Sequence, residues 1–168
     1  MDLSTLEKYD VQKMYKVYDK WPEIARESFE SHHEPVDFDG IDHIVFAGMG
    51  GSGAIGDLFS SILSKSDIHV SLVKGYLLPK TVNKNTLVVA TSISGNTSET
   101  LTVLDSAAKL DCRLIAFSSG GKMEDMCKKN QIMFRKIPLV HSPRTSLVSF
   151  TYSILKTLNS VLPIKKDD

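Results

Sequence analysis

The chain has 168 residues, 42% of them hydrophobic and 24% charged, and its 20 basic and 20 acidic side chains cancel to a formal net charge of zero. That length suffices for one domain with a sizeable core, and a neutral chain has no overall field to draw it to nucleic acid or to an anionic membrane. No apolar run approaches the roughly 18 residues of a membrane span, and the opening Met1-Asp2-Leu3-Ser4 lacks the basic-then-apolar pattern of a secretion signal.

Two N-terminal helices are expected first. Residues 3–20 carry Leu3, Leu6, Val11, Met14, Tyr15 and Tyr18 on a rough stripe, and Pro22 suits the first turn of a second helix over 22–32. The stripe around Met14, Tyr15, Tyr18 and Trp21 is either cover for the core or an interface. Five short apolar, β-branched runs follow, at 43–48, 68–73, 86–91, 113–118 and 132–137. Most are continuously apolar, which fits strands covered on both faces in a parallel sheet. Helical spacing marks 54–64, 97–110 and 123–130 between them. The link 74–85, with Gly75, Pro79 and two asparagines, reads as a loop or a brief helix. Residues 144–162 read as a closing helix, ended by Pro163 and the charged tail 165–168. Such strand–helix alternation predicts a three-layer α/β domain. The simplest organisation is a single domain over 1–168, with N-terminal helices over 1–34 and an α/β core over 41–162. The two cysteines, Cys112 and Cys127, show no CxxC or metal spacing and read as reduced thiols of a cytosolic protein.

Two turns carry chemistry. The first strand runs into Gly48-Met49-Gly50-Gly51-Ser52-Gly53. Glycines let a ligand approach main-chain N–H groups, and the helix that follows offers unpaired N–H groups and a partial positive charge. Strand, glycine turn and helix together make an anion site, to which Ser52 adds a hydroxyl. A tight structural turn is the plain alternative. The same residues match GxGxxG, but a dinucleotide site also wants an acidic residue ending the second strand, where the sequence reads Leu72-Val73-Lys74-Gly75. A P-loop is excluded, because no Gly-Lys-Ser/Thr follows at the required spacing.

The third strand ends in Ser92-Ile93-Ser94-Gly95-Asn96-Thr97, and a helix follows. Hydroxyls at 92, 94 and 97 around a glycine can surround a phosphate together with turn N–H groups. Helix capping alone would need one such residue, not four.

These two turns, with Ser118-Ser119-Gly120-Gly121-Lys122 and Pro143-Arg144, resemble the sugar isomerase (SIS) domain. Their order is most similar to the N-terminal half of archaeal-type bifunctional phosphoglucose/phosphomannose isomerases. The resemblance implies a flavodoxin-like fold, a five-stranded parallel sheet flanked by helices, and a phosphorylated sugar as ligand. It places Ser92, Ser94 and Thr97, with the Gly95–Asn96 turn, on the phosphate. Gly50, Gly51 and Ser52 would lie against the sugar, and Arg144 near the reacting carbons. An arginine there would stabilise the enediolate formed between C1 and C2. It implies no cofactor and no metal, and either a homodimer or docking onto a second SIS domain. In such enzymes a glutamate and a histidine of that second domain move the protons. No segment of this chain matches them, and Glu99, at a helix start, is a poor substitute. His141 is a loop histidine with a minor prospect of reaching the pocket, His32 and His33 read as a solvated helix end, and Lys122 as a helix start. Three functions follow as expectations: the phosphosugar-binding half of an isomerase, a stand-alone phosphosugar sensor, and a dinucleotide-binding domain.

Overall fold

The five β-branched runs form strands within one residue of their expected limits: β1 His43–Ala47, β2 His69–Val73, β3 Thr86–Ser92, β4 Arg113–Ser118 and β5 Met133–Lys136. This is a computed structural model, and it describes residues 3–162. Pro163 and the tail 165–168, expected to end the last helix, lie outside the described residues. All strand pairs are parallel and the order is β2-β1-β3-β4-β5, the flavodoxin-like arrangement. The helices are α1 Leu3–Tyr9, α2 Met14–Asp19, α3 Trp21–Phe29, α4 Gly51–Ile62, α5 Ser98–Ala107, α6 Gly121–Asn130 and α7 Leu147–Thr157.

Side-chain alternation along the central strands feeds two separate cores. Ile44 and Phe46 of β1, Leu87 and Val89 of β3, and Ile115 and Phe117 of β4 share one core with Ile55 and Phe59 of α4 and Phe150 and Ile154 of α7. The intervening Val45 and Val88 pack with Val103 and Ala107 of α5, and Ala90 and Ala116 with Leu104 of α5 and Met123 of α6. Helices thus cover both faces, and the result is a three-layer α/β fold. Full burial of a side chain such as Phe59 or Phe117 contributes about 1.5–3 kcal/mol. The edge strands depart from the expectation of coverage on both faces. β1 and β3 are buried throughout, whereas β2 and β5 are largely exposed or half-buried. An edge strand has a neighbour on one side only, and here too little helix lies over it.

Several helix limits differ from the sequence reading: α3 ends at Phe29 rather than 32, α5 at Ala107 rather than 110 and α7 at Thr157 rather than 162, and α6 starts at Gly121 rather than 123. Three further differences have a local reason. The stretch expected as one helix over 3–20 is two. Lys13 takes a left-handed backbone (φ 55°), and the carboxylate of Asp10 accepts the N–H of Tyr15 at 2.8 Å, which competes with helix continuation. Backbone N–H groups of Tyr15 and then Met14 hold the Asp10 carboxyl below its ordinary pKa. Val11, placed on the apolar stripe, falls in the break and is 80% exposed. The helix after the first glycine turn starts at Gly51, three residues earlier than expected, so the glycines occupy its first turn. The closing helix starts at Leu147 rather than 144, because the hydroxyls of Thr145 and Ser146 bind carbonyls of the preceding loop. The 74–85 link contains no helix, as a Gly- and Pro-bearing segment allows.

Candidate functional site

In the order β2-β1-β3-β4-β5 the chain turns to opposite sides after β1 and β3, and a crevice opens between their carboxyl ends. A cleft of about 360 Å³ lies there, within the roughly 300–1,000 Å³ usual for small-molecule sites. Its polar lining comes from Gly51 and Ser52 at the start of α4, Ser94 and Thr97 before α5, and Arg144. Its apolar lining comes from Met49, Ala54, Ile93, Pro143 and Leu147. Three separate loops thus meet at one place.

The first turn is shaped by backbone. Gly50 caps α4 at φ 54°, a conformation that favours glycine. A Cβ built on Gly51 would meet nothing within 4 Å, so this wall stands back from the protein and leaves room for a ligand. Ser52 is buried, and its Oγ accepts the N–H of Ile93 at 3.3 Å. That bond ties the first turn to the second, and the Ser52 proton remains to be donated toward the cleft.

The second turn is shaped by side chains. Ser92, 1% exposed, lies beneath it: its Oγ accepts the N–H of Gly95 at 3.1 Å and is 3.0 Å from Thr97 Oγ1. Asn96 faces away from the cleft. Its amide donates to Ser94 O at 3.0 Å, and its Oδ1 accepts the N–H of Lys122 at 3.1 Å, which clasps the start of α6. Gly95, at φ 70°, is pressed so closely to the 118–121 loop that a Cβ there would stand 1.8 Å from Gly120 O. Ser94 is exposed and Thr97 half-exposed at the cleft. The N–H groups of Ser98 and Glu99, in the first turn of α5, have no acceptor within the helix, and they add positive potential at this point.

Of the residues expected at a ligand, Gly51, Ser52, Ser94, Thr97 and Arg144 line the cleft. Gly50, Ser92, Gly95 and Asn96 do not: Gly50, Ser92 and Asn96 each hold a lining neighbour, and Gly95 packs on the 118–121 loop. The 118–122 segment, expected at the same sheet edge, is there as a buttress: Ser119 Oγ donates to Ile93 O at 2.7 Å, and Lys122 lies in α6. Sequence reasoning missed the apolar wall of Met49, Ala54, Ile93 and Leu147. Leu147 is legible only as part of a helical stripe, and nothing in its spacing assigns it to a ligand rather than to the core.

Arg144 is exposed and forms no ion pair or hydrogen bond among the described residues. Its loop, by contrast, is tightly held. Thr145 and Ser146 are fully buried. Thr145 Oγ1 accepts the N–H of Ser142 at 3.1 Å, and Ser146 Oγ accepts that of Val140 at 2.9 Å. The indole of Trp21, at the start of α3, donates to Thr145 O at 3.1 Å. His141 turns from the cleft to Gln12 O, 3.0 Å from Nε2, so it does not reach the pocket. Two contacts thus anchor this loop to the N-terminal segment.

The cleft holds hydroxyls, the positive ends of two helices and one arginine. Among the described residues no carboxylate or imidazole lines it, and no group of three metal-ligating side chains is found anywhere. The arrangement suits an anion attached to a polar body.

Comparison with known proteins agrees. The family model described as the SIS domain matches residues 38–162. A bifunctional phosphoglucose/phosphomannose isomerase of Caldicellulosiruptor bescii is 38% identical over 108 residues, 64% of this chain and 32% of that protein. One of Aquifex aeolicus is 31% identical over 166 residues, 94% of this chain and 48% of its own. The chain therefore spans about a third to a half of the length of these relatives. A protein of E. coli CFT073, solved as a ligand complex, superposes with a TM-score of 0.61 at 19% identity, over 93% of this chain and 90% of that one. Sheet order, the position of the cleft and the family match lead to one conclusion: the chain belongs to the SIS domain family.

Proposed function

We propose that this chain is the phosphosugar-binding SIS domain of a glucose-6-phosphate/mannose-6-phosphate isomerase, which interconverts these aldoses with fructose 6-phosphate. The observation that carries the reading is the cleft's composition: groups that hold an anion and one cation on an anchored loop, with no carboxylate or imidazole in the lining among the described residues. Ser94, Thr97 and the N–H groups at the start of α5 take the phosphate. Gly51 and Ser52 take the sugar oxygens.

The reaction removes the proton from C2 of the aldose and returns one to C1, through an enediolate that carries negative charge on oxygen. Arg144 is assigned to the place where that charge develops, and a cation held there by the bound sugar lowers the barrier. The abstracting base must titrate near neutral pH and lie within hydrogen-bond reach. A second SIS domain supplies it, either the remainder of a longer chain or a partner, as the shorter span relative to the isomerase relatives supports. The reading places the protein in the cytoplasm and pairs it with another SIS domain. No described helix is long and apolar enough to cross a membrane.

The test has two parts. Fructose 6-phosphate should bind the isolated chain saturably without turnover, and isomerase activity should emerge when a candidate second domain is added. Turnover by the isolated chain would overturn the claim that the base comes from elsewhere. Ser94→Ala and Thr97→Ala should each weaken binding by about 1.5–3 kcal/mol, the loss of a hydrogen bond to a charged group. Unchanged binding by the double variant would refute the phosphate assignment.

That no base lines the cleft among the described residues also favours a second reading, a phosphosugar sensor without chemistry. Saturable binding with no turnover alongside any second SIS domain would select it. A dinucleotide has less support. The residue after β2 is Lys74, paired with Asp57 of α4 at 2.6 Å, where a ribose would need a free carboxylate.

A further inference from the structure

A second cleft, of about 240 Å³, lies on the far side of the Arg144 loop, between α3, α7 and the segment leaving β5. It shares no lining residue with the first cleft. Part of its lining is hydroxylic. Ser149 and Ser153, one helical turn apart on α7, face it together with Ser28 of α3 and Ser31 just beyond that helix. Ile24, Ile137 and Val140 add apolar surface to the same lining, Ile24 one turn before Ser28 on α3.

The hydroxyls are underused. Ser153 is 2% exposed and lines the cleft. Ser31 Oγ is buried and unpartnered. Ser149, 4% exposed, donates to Ser146 O at 2.9 Å and keeps its lone pairs open. Buried polar atoms are nearly always paired, so the unpaired Ser31 hydroxyl, beside the open lone pairs of Ser149, marks a place where something else supplies the partners. Burial, and then the nearby Arg135 charge, pushes the His33 imidazole below its ordinary pKa, so this ring is neutral at pH 7. Of the lining side chains only Glu27 is then charged. A phosphate or carboxylate would meet that negative charge with no lining cation to offset it. A metal ion would find a single carboxylate. A neutral molecule that carries both hydroxyls and C–H surface matches this mixed lining. The volume lies below the roughly 300 Å³ at which drug-sized sites begin, which limits the ligand to about one sugar ring.

We propose that this cleft binds a small, neutral polyhydroxylated molecule of about monosaccharide size, held by Ser31, Ser149 and Ser153 and packed against Ile24, Ile137 and Val140. The assignment goes beyond the phosphosugar site and stands whether or not that reading holds.

The test is a titration of the isotope-labelled chain with D-glucose, followed by amide and imidazole NMR shifts, with inorganic phosphate as the anionic probe. Glucose should give saturable shifts at Ser31, His33, Ser149 and Ser153, with a Kd on the order of 1 mM. Thr97→Ala should leave those shifts unchanged. Ser153→Ala and Ser31→Ala, with folding verified by the unperturbed remainder of the spectrum, should each weaken binding roughly 2- to 10-fold. Three results would each overturn the proposal: no saturable shift at these residues up to roughly 0.1 M glucose, shifts there with phosphate instead of glucose, or equal affinity in wild type and both serine variants. Crystals soaked in glucose that hold only water in this cleft would do the same.

Discussion

The turns after β1 and β3 face each other across one cleft, yet they are built on opposite plans. The first is backbone: Gly50 and Gly51 present main chain to open space, and the only side-chain bond the turn makes inward, among the described residues, is Ser52 to Ile93 N. The second is side chain: Ser92, Asn96 and Thr97 spend their polar groups on the turn and on its neighbour at 118–122. Room for a ligand comes from the first, and a fixed position for the hydroxyls of Ser94 and the half-exposed Thr97 comes from the second. A glycine accordingly has different meanings in the two turns. At Gly51 it keeps space clear for a ligand, and at Gly95 it lets two protein segments touch.

The sharpest way to break this contrast is a methyl group at each glycine. Gly95→Ala should be the most damaging change, by more than about 4 kcal/mol, because its Cβ would stand 1.8 Å from a carbonyl oxygen at a positive φ. Chemical denaturation measures it, and a stable Gly95→Ala protein would mean the two loops are not locked together. Gly51→Ala should do the reverse. Folding stability should hold or rise by up to ~1 kcal/mol, since alanine is the better helix former. Fructose 6-phosphate affinity should fall on the order of tenfold, about 1.4 kcal/mol. If affinity were unchanged, the open wall at Gly51 would not be ligand space. Ser52→Ala removes the side-chain bond between the turns and should cost about 1 kcal/mol of stability together with some binding. A loss of binding alone would make Ser52 a ligand contact rather than a link.

The smallest effect is expected at the opposite edge of the sheet, where neither turn contributes. His43 opens β1, with Nε2 2.9 Å from Ser71 Oγ and Nδ1 3.3 Å from Thr86 Oγ1. Burial, and then His69, pushes its imidazole below the ordinary pKa of 6.5, against the opposing pull of Asp42. The unfolded chain then binds more protons than the folded one below about pH 6.5. Stability should be flat above that pH and fall as the pH drops through it, with His33 adding in the same direction. Thermal melts from pH 8 to 5 should show this slope, and His43→Gln should reduce it. A slope of opposite sign would mean that protonated His43 is stabilised in the fold.

The sequence by itself determined the five strands, because uninterrupted β-branched runs of this length have few other places to be buried. It also marked both turns, since clustered glycines and hydroxyls between strand and helix are scarce elsewhere in the chain. It could not determine which hydroxyls face the cleft. Ser92, Ser94 and Thr97 are chemically alike, and their roles separate only because Gly95 docks on Gly120, a contact between separate loops that buries Ser92 and leaves the other two outside. Arg144 is placed only by the family resemblance and not by local pattern, because its loop is held by hydroxyls that look like helix and by the Trp21 indole from the other end of the chain. Local pattern decides which segments fold into strands and turns. The orientation of each side chain at the cleft follows from contacts between segments far apart in sequence, and only the tertiary structure decides those.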